Sequence, residues 1–207
     1  MRGIFEVKFI GKEDGGQLRQ YVGFEKRYLN LIKKYFNGNK ILEIGCGRGT
    51  LLELLDKEGY NVIGIDVNKK AIDAIRKKKL KAYQYDLNKG IPEKADIIVA
   101  TDVIEHIYKL DKLLEDIRKK SKYFLCTVPN EFNWVARIRF LVGKGLVEHS
   151  PFNHCHVYPI EEWDRIINKY FKVLHSEYLP LRIPYGIFWQ LSQKGFGKVK
   201  VYICKSR

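Results

Sequence analysis

Apolar residues recur along this chain in two alternating rhythms. At Leu18, Tyr21, Val22, Tyr28, Leu29, Ile32, Tyr35 and Phe36 they recur at helical spacing, which predicts a helix over 18–37 that ends near Asn37-Gly38. The unbroken apolar run ILEI at 41–44 follows at once and reads as a strand. Strand and helix patterns then alternate: VIGID at 62–66, a helix with Ala71, Ile72 and Ile75 inward, KAYQYD at 81–86, and ADIIVAT at 95–101. A helix carrying Leu110, Leu113, Leu114 and Ile117 leads into a fifth strand, YFLCTVP at 123–129. The alternation stops through 130–158, where only Trp134, Val135, Ile138, Leu141 and Val142 suggest a short amphipathic helix. It resumes with Pro159 opening a helix whose inner face holds Trp163, Ile166, Ile167 and Tyr170, and two more strands, FKVLHSEY and KVKVYIC, complete seven.

Continuous apolar strands separated by helices indicate an α/β fold with a mostly parallel sheet covered on both faces. In such a sheet the ligand site lies beyond the carboxyl ends of the strands. A length of 207 residues suits one domain over 1–207. Its expected parts are an N-terminal helix over 18–37, a core of alternating strands and helices over 40–128, an insertion over 130–158, and the rest of the sheet over 159–207.

Composition narrows this little. A hydrophobic share of 45% and an aromatic share of 13% argue against disorder. No apolar run approaches the ~20 residues that span a bilayer, so no membrane partner is expected. The start has no cleavage signal of the secretory kind, which places the protein in the cytoplasm as an expectation. The four cysteines, Cys46, Cys126, Cys155 and Cys204, are dispersed and read as buried free thiols. A net charge of +14 raises nucleic acid as a partner. The favoured explanation is a lysine-rich thermophile chain, because the lysines fall mostly on the polar sides of the predicted helices.

The chemistry concentrates at strand ends. Ile41–Ile44 runs into Gly45, Cys46, Gly47, Arg48 and Gly49, three glycines at alternate positions that allow a sharp turn and a ligand lying against the backbone. The dinucleotide fingerprint would need glycine where Thr50 stands, which argues against a nicotinamide dehydrogenase. Glu43, inside an otherwise apolar strand, suits a cationic ligand. Asp66 ends the second strand 21 positions after Gly45, where a carboxylate can accept both ribose hydroxyls, and Val67 follows it. Asp at that place also suits a helix cap. Asp86-Leu87 ends the third strand, and Asp86 equally suits a turn before Asn88, Lys89 and Gly90.

The E-x-G-x-G-x-G pattern at 43–49, with Asp66 and Asp86-Leu87 in order, resembles the class I S-adenosylmethionine (SAM) methyltransferases. The segment TDVIEHI at 101–107 resembles their small-molecule branch. The likeness is to the MetW type and its ubiquinone-methyltransferase-like neighbours over positions 40–175, through GIDVNKKAI, YDLNKGIP, TVPNEFNWVARIRFLVGKG and HCHVYPIEEW. The resemblance implies a Rossmann-like seven-stranded sheet of order 3-2-1-4-5-7-6 with its last strand antiparallel, the cofactor bound by the core over 40–128 and a small helical cap over the acceptor at 130–158. It also implies SAM as the cofactor, the acidic residue of the glycine motif near the methionyl end, and Asp86 at the adenine. Thr101 and Asp102 would border the cofactor, and His106 would face a small-molecule acceptor.

Methyl transfer from a sulfonium is an in-line displacement in which orientation supplies much of the rate. An oxygen or protonated nitrogen acceptor must also lose a proton, and His106, His154 and His156 are candidates to take it. Trp134, Arg137, His154, His156 and Tyr158 are the expected acceptor-binding residues. Trp134 and Phe140 fit core packing equally well, and Arg137 and Arg139 fit solvent. The run HSPFNHCH invites a metal, but His154 and His156 with only His149 nearby fall short of four ligands, so none is expected. Other readings are an RNA or protein methyltransferase, and a MetW-like SAM-binding partner of another enzyme with little catalysis of its own. The N-P-P-aromatic signature of base-amine methylation is absent, its place holding Thr101-Asp102-Val103-Ile104, and there is no Pro-Cys pair. The acceptor, the atom methylated and the oligomeric state stay open.

Overall fold

The computed structural model describes residues 24–143, 154–179, 197 and 199–207. Expectations for 1–23, with Leu18, Tyr21 and Val22, for 144–153, with His149 and Phe152, and for the tail at 180–196 lie outside the described residues. Seven strands form one sheet: β1 (Lys40–Ile44), β2 (Asn61–Asp66), β3 (Ala82–Gln84), β4 (Ala95–Ala100), β5 (Ser121–Pro129), β6 (Phe171–Leu179) and β7 (Val199–Ser206). Their order is β3-β2-β1-β4-β5-β7-β6. All neighbours pair in parallel except β7, which is antiparallel to both β5 and β6. Fold class and strand order therefore match the sequence reading.

The helices divide between the two faces because successive strand residues point to opposite sides. Leu42 and Ile44 of β1 join a core closed by α4 (Leu110–Lys120) and α6 (Ile160–Tyr170). Ile41 joins a second core under α1 (Glu25–Tyr35), α2 (Thr50–Lys57) and α3 (Lys69–Lys77). By the same alternation Glu43 faces the second core, where a carboxylate stands among aliphatic neighbours. Most side chains in these cores are almost wholly enclosed, each stabilising the fold by about 1.5–3 kcal/mol.

Some element ends differ from expectation for visible reasons. Helix α1 stops at Tyr35 rather than at Asn37-Gly38. The Asp96 carboxylate accepts from the N–H groups of Asn39 (3.0 Å) and Lys40 (2.9 Å), fastening the turn to β4 and starting β1 at Lys40. β3 is three residues long because Asp86 leaves the sheet to cap a short 3-10 turn at Leu87–Lys89. Cys46, Cys126 and Cys204 are buried and free as expected, while Cys155 is only half-buried. No helix among the described residues is long and apolar enough to cross a membrane.

The largest departure is α5 (Trp134–Leu141), expected to turn an apolar face onto a pocket. Only its Ala136 is buried, and Trp134, Ile138 and Leu141 are 47%, 57% and 81% exposed. Hydrophobic spacing reports that a helix has an apolar stripe, not which side the rest of the chain occupies.

Trp163 of α6 anchors the first core, fully enclosed against Tyr158 at 5.3 Å between ring centroids. Replacing it with Ala should lower stability by about 3–5 kcal/mol. The measurement is the midpoint of urea unfolding, and an unchanged midpoint would remove Trp163 from the framework.

Candidate active site

The carboxyl ends of β1, β2 and β4 meet at one edge of the sheet. After Ile44 the chain turns through Gly45 at φ +67°, a conformation L side chains avoid, and a Cβ there would stand 2.3 Å from Val103 Cγ2. Glycine is therefore required for the loop after β4 to cross the loop after β1. Gly47, at φ +49°, has nothing within 4 Å of where its Cβ would be, so this side of the loop is open. Gly49 caps α2 and presents the helix start to the same edge.

Asp66 ties this loop to β2. One carboxylate oxygen accepts from the Gly47 N–H at 2.9 Å and the other from the Asn68 N–H at 2.8 Å. Asn68, not Asp66, caps α3 through its side chain. A carboxylate offers about four acceptor positions, so Asp66 retains capacity for hydroxyl groups. Val67 beside it is 59% exposed, an apolar surface at the rim. Leu87 is buried. Asp86 uses one oxygen for the Asn88 backbone (2.9 Å) and side chain (3.0 Å), so its turn role is realised.

Glu43 is 3% exposed, and its Oε2 has no hydrogen-bond partner. Burial first, then the charges of Asp66 and Glu25, push its carboxyl up to about 8. The Cys46 thiol turns inward rather than toward a ligand, since a Cβ on Gly64 would meet its Sγ at 2.8 Å. Only the Cys46 backbone can serve a ligand; its N–H is spent on Ile65 O at 3.0 Å.

The acceptor side is built after β4. Thr101 is half-exposed, and Asp102 takes a left-handed backbone at φ +54°. The Asp102 N–H donates to Thr127 Oγ at 2.8 Å, and that hydroxyl donates back to Asp102 Oδ1 at 3.1 Å. Burial raises the Asp102 carboxyl to about 6, offset in part by the Thr127 hydrogen bond and the His154 charge. Glu105 is enclosed, with Oε2 unpartnered, and burial followed by the Asp102 charge holds it well above the carboxylate range. The Glu105 carbonyl accepts from the N–H groups of Cys155 (2.9 Å) and His156 (3.1 Å), which lays the segment 154–156 along 105–107.

That pairing sorts the histidines. His106 and His154 meet edge to face, with ring centroids 4.8 Å apart. His154 Nδ1 lies 2.7 Å from Glu131 Oε1. One nitrogen or oxygen from each of Glu105, His106 and His154 lies within 4.8 Å of the others. A cation placed among them would favour the charged form of Glu105, against the burial that raises its carboxyl. His156 turns elsewhere, donating from Nε2 to Ile107 O at 2.9 Å, with Nδ1 3.1 Å from the Tyr158 hydroxyl. His156 and Tyr158 line a cavity of about 310 Å³ with Tyr108, Leu110 and Ile166. The five expected acceptor residues are thus divided: His154 joins His106, His156 and Tyr158 border this cavity, and Trp134 stacks under Arg137 on exposed α5, 5.3 Å from ring to guanidinium. Glu105, Thr127 and Glu131 escaped the sequence reading; an acid beside a histidine and a hydroxyl near a strand end were the available signals.

A family model described as a methyltransferase domain matches residues 17–175. The chain belongs to the methyltransferase-domain family. It is 33% identical over 122 residues to a ubiquinone biosynthesis O-methyltransferase of Chelativorans sp. (strain BNC1), covering 55% of this chain and 46% of that protein. It is 30% identical over 105 residues to the ribosomal protein L11 methyltransferase of Dictyoglomus thermophilum, covering 47% and 35%. The chain therefore spans less than half the length of both relatives. Its fold is similar to that of a SAM-dependent methyltransferase from Archaeoglobus fulgidus, with a TM-score of 0.65, 22% identity, and coverage of 88% of this chain and 92% of that one.

SAM, the cofactor of such a methyltransferase, suits the residues present. Glu43 would offset the cationic methionyl end with its unpartnered oxygen, Gly47 would leave room against the backbone, and Asp66 would accept ribose hydroxyls. Asp66→Ala should weaken SAM binding by about 1–3 kcal/mol, read by titration calorimetry; undiminished affinity would remove Asp66 from the cradle. Glu43 predicts a proton exchange. Its ordinary value is 4.5 and its folded value about 8, so between these only the folded chain holds the proton and this group's contribution to stability falls as pH rises. At pH 7 a cationic ligand should expel that proton, giving binding heats that depend on buffer ionisation enthalpy in the native protein and not in Glu43→Gln. Buffer-independent heats in the native protein would contradict this assignment.

Proposed function

We propose that this chain transfers a methyl group from SAM to an oxygen of a small hydroxylated acceptor. The observation that carries the reading is a shared edge: the Glu43, Gly47 and Asp66 cradle opens at the same carboxyl ends of the sheet as the His106–His154 pair. When bound, SAM supplies an electrophilic methyl on a positive sulfur. The chain's own residues then have three tasks. Glu43 and Asp66 bind and orient the donor, the crossing of Val103 over Gly45 sets the loop after β4 against it, and the imidazoles hold the acceptor's proton. Oxygen is favoured over carbon because a hydroxyl needs a base, and two imidazoles are in place to act as one. Similarity to a protein named as an O-methyltransferase supports the same choice.

Methylation of a macromolecule is the second reading, supported by the net charge of +14 and by similarity to a protein named as a ribosomal protein methyltransferase. The two separate cleanly. Incubation with methyl-labelled SAM and a cell extract should place label on a small molecule whose mass spectrum locates it on oxygen; label retained on protein or RNA would favour the second reading. His106→Ala, which removes the ring packed edge to face on His154, should reduce turnover by about tenfold or more with SAM affinity nearly unchanged. Loss of affinity with turnover preserved would move His106 to the cofactor side.

A further inference from the structure

The two imidazoles are not equivalent. His154 Nδ1 is 2.7 Å from the carboxylate of Glu131, which is itself 8% exposed. His106 Nε2 is 4.0 Å from Glu105, whose carboxyl burial holds well above the ordinary carboxylate range. A carboxylate accepts and does not donate, so Glu131 fixes the proton on His154 Nδ1 and leaves Nε2 with its lone pair. No described residue bonds Nε2. Glu131 is held by position: it follows β5 and buried Asn130, whose side chain donates to Gly197 O at 2.8 Å and whose carbonyl accepts from the Asn133 side chain at 2.8 Å. His154 is placed from the other direction by the pairing of Cys155 and His156 with the Glu105 carbonyl.

We propose that Glu131 and His154 form a carboxylate–imidazole pair in which Glu131 is a positioning residue and His154 Nε2 takes the acceptor's hydroxyl proton. The inference rests on the reading of this chain as an O-methyltransferase. As the O–H bond breaks, its proton goes to Nε2 and the oxygen lone pair forms a bond to the methyl carbon. The methyl–sulfur bond breaks with its electron pair passing to sulfur, leaving a neutral thioether, a methyl ether and an imidazolium that returns its proton to solvent. The groups facing the imidazolium suit that charge. Glu131 bonds it, the Asp102 carboxyl attracts it, and the His106 ring meets it edge to face.

The test compares two probes, catechol and 4-nitrocatechol, the second of which ionises near neutral pH without a base. With catechol, His154→Gln should lower kcat by about 10²–10⁴-fold and Glu131→Gln by about tenfold or more, while SAM affinity holds. With 4-nitrocatechol both losses should shrink to about threefold or less, because little deprotonation is left for the enzyme to catalyse. Equal losses on both probes would make the pair structural and overturn the proposal, as would retained catechol turnover in Glu131→Gln. Addition of EDTA to the native protein should leave the difference between probes intact; its disappearance would assign deprotonation to a metal ion instead. If native protein methylates neither probe, a phenolic hydroxyl is excluded as the acceptor, and the pair is decided by the ¹⁵N signals of His154. A proton on Nδ1 whose signal shifts in Glu131→Gln upholds the pair. A proton on Nε2 overturns it.

Discussion

The Asp66 carboxylate holds the carboxyl ends of β1 and β2 together. By accepting from Gly47 and Asn68 it joins the loop after β1 to the end of β2 before any ligand arrives. Left-handed backbone at Gly45 and Gly49 costs glycine little sterically but loses chain entropy on folding, and fixed hydrogen bonds offset that loss. The same constraint passes sideways. Because Gly45 has no Cβ, Val103 can cross it, and that crossing places the loop carrying Asp102, Glu105 and His106 next to the cradle.

Around this edge the chain encloses more acid than it neutralises. Glu43 and Glu105 each have a buried oxygen without a partner, and burial raises Glu43, Asp102 and Glu105 above the ordinary carboxylate range. Such groups cost stability unless something compensates them. A sulfonium ligand would do so on the Glu43 side. On the Asp102 side the Thr127 hydroxyl does so in part, by donating to Oδ1. Despite a net charge of +14 for the whole chain, the interior of the site is thus acidic, and the excess lysine and arginine lie elsewhere, many in exposed ion pairs such as Lys57–Glu53 and Arg165–Glu162. Net charge describes the outside of this protein and says little about the chemistry within.

Much of the architecture was legible because strands buried on both faces are continuous apolar runs, and the helices between them carry apolar residues at three-four spacing. Leu110, Leu113, Leu114 and Ile117 are all enclosed in α4, as their spacing implies. The glycine loop and Asp66 were legible too, since few other arrangements require those residue types at a strand end. The segment after β5 was not. Its apolar residues show helical spacing, yet Trp134, Ile138 and Leu141 face outward while the enclosed acid, Glu131, precedes the helix in a polar-looking stretch.

The sequence by itself determined the local chemistry: which segments become strands, where backbone must bend without a Cβ, and which carboxylates stand at the end of β2 and in the turn after β3. Only the tertiary structure decided partners. His154 and His156 are two residues apart and alike in sequence, but the pairing of 154–156 with the Glu105 carbonyl sends one to Glu131 and His106 and the other to Ile107 and Tyr158. Periodicity records the faces of one element at a time. A proton-transfer pair joins elements 23 residues apart, and their meeting is set by how the sheet and its loops close.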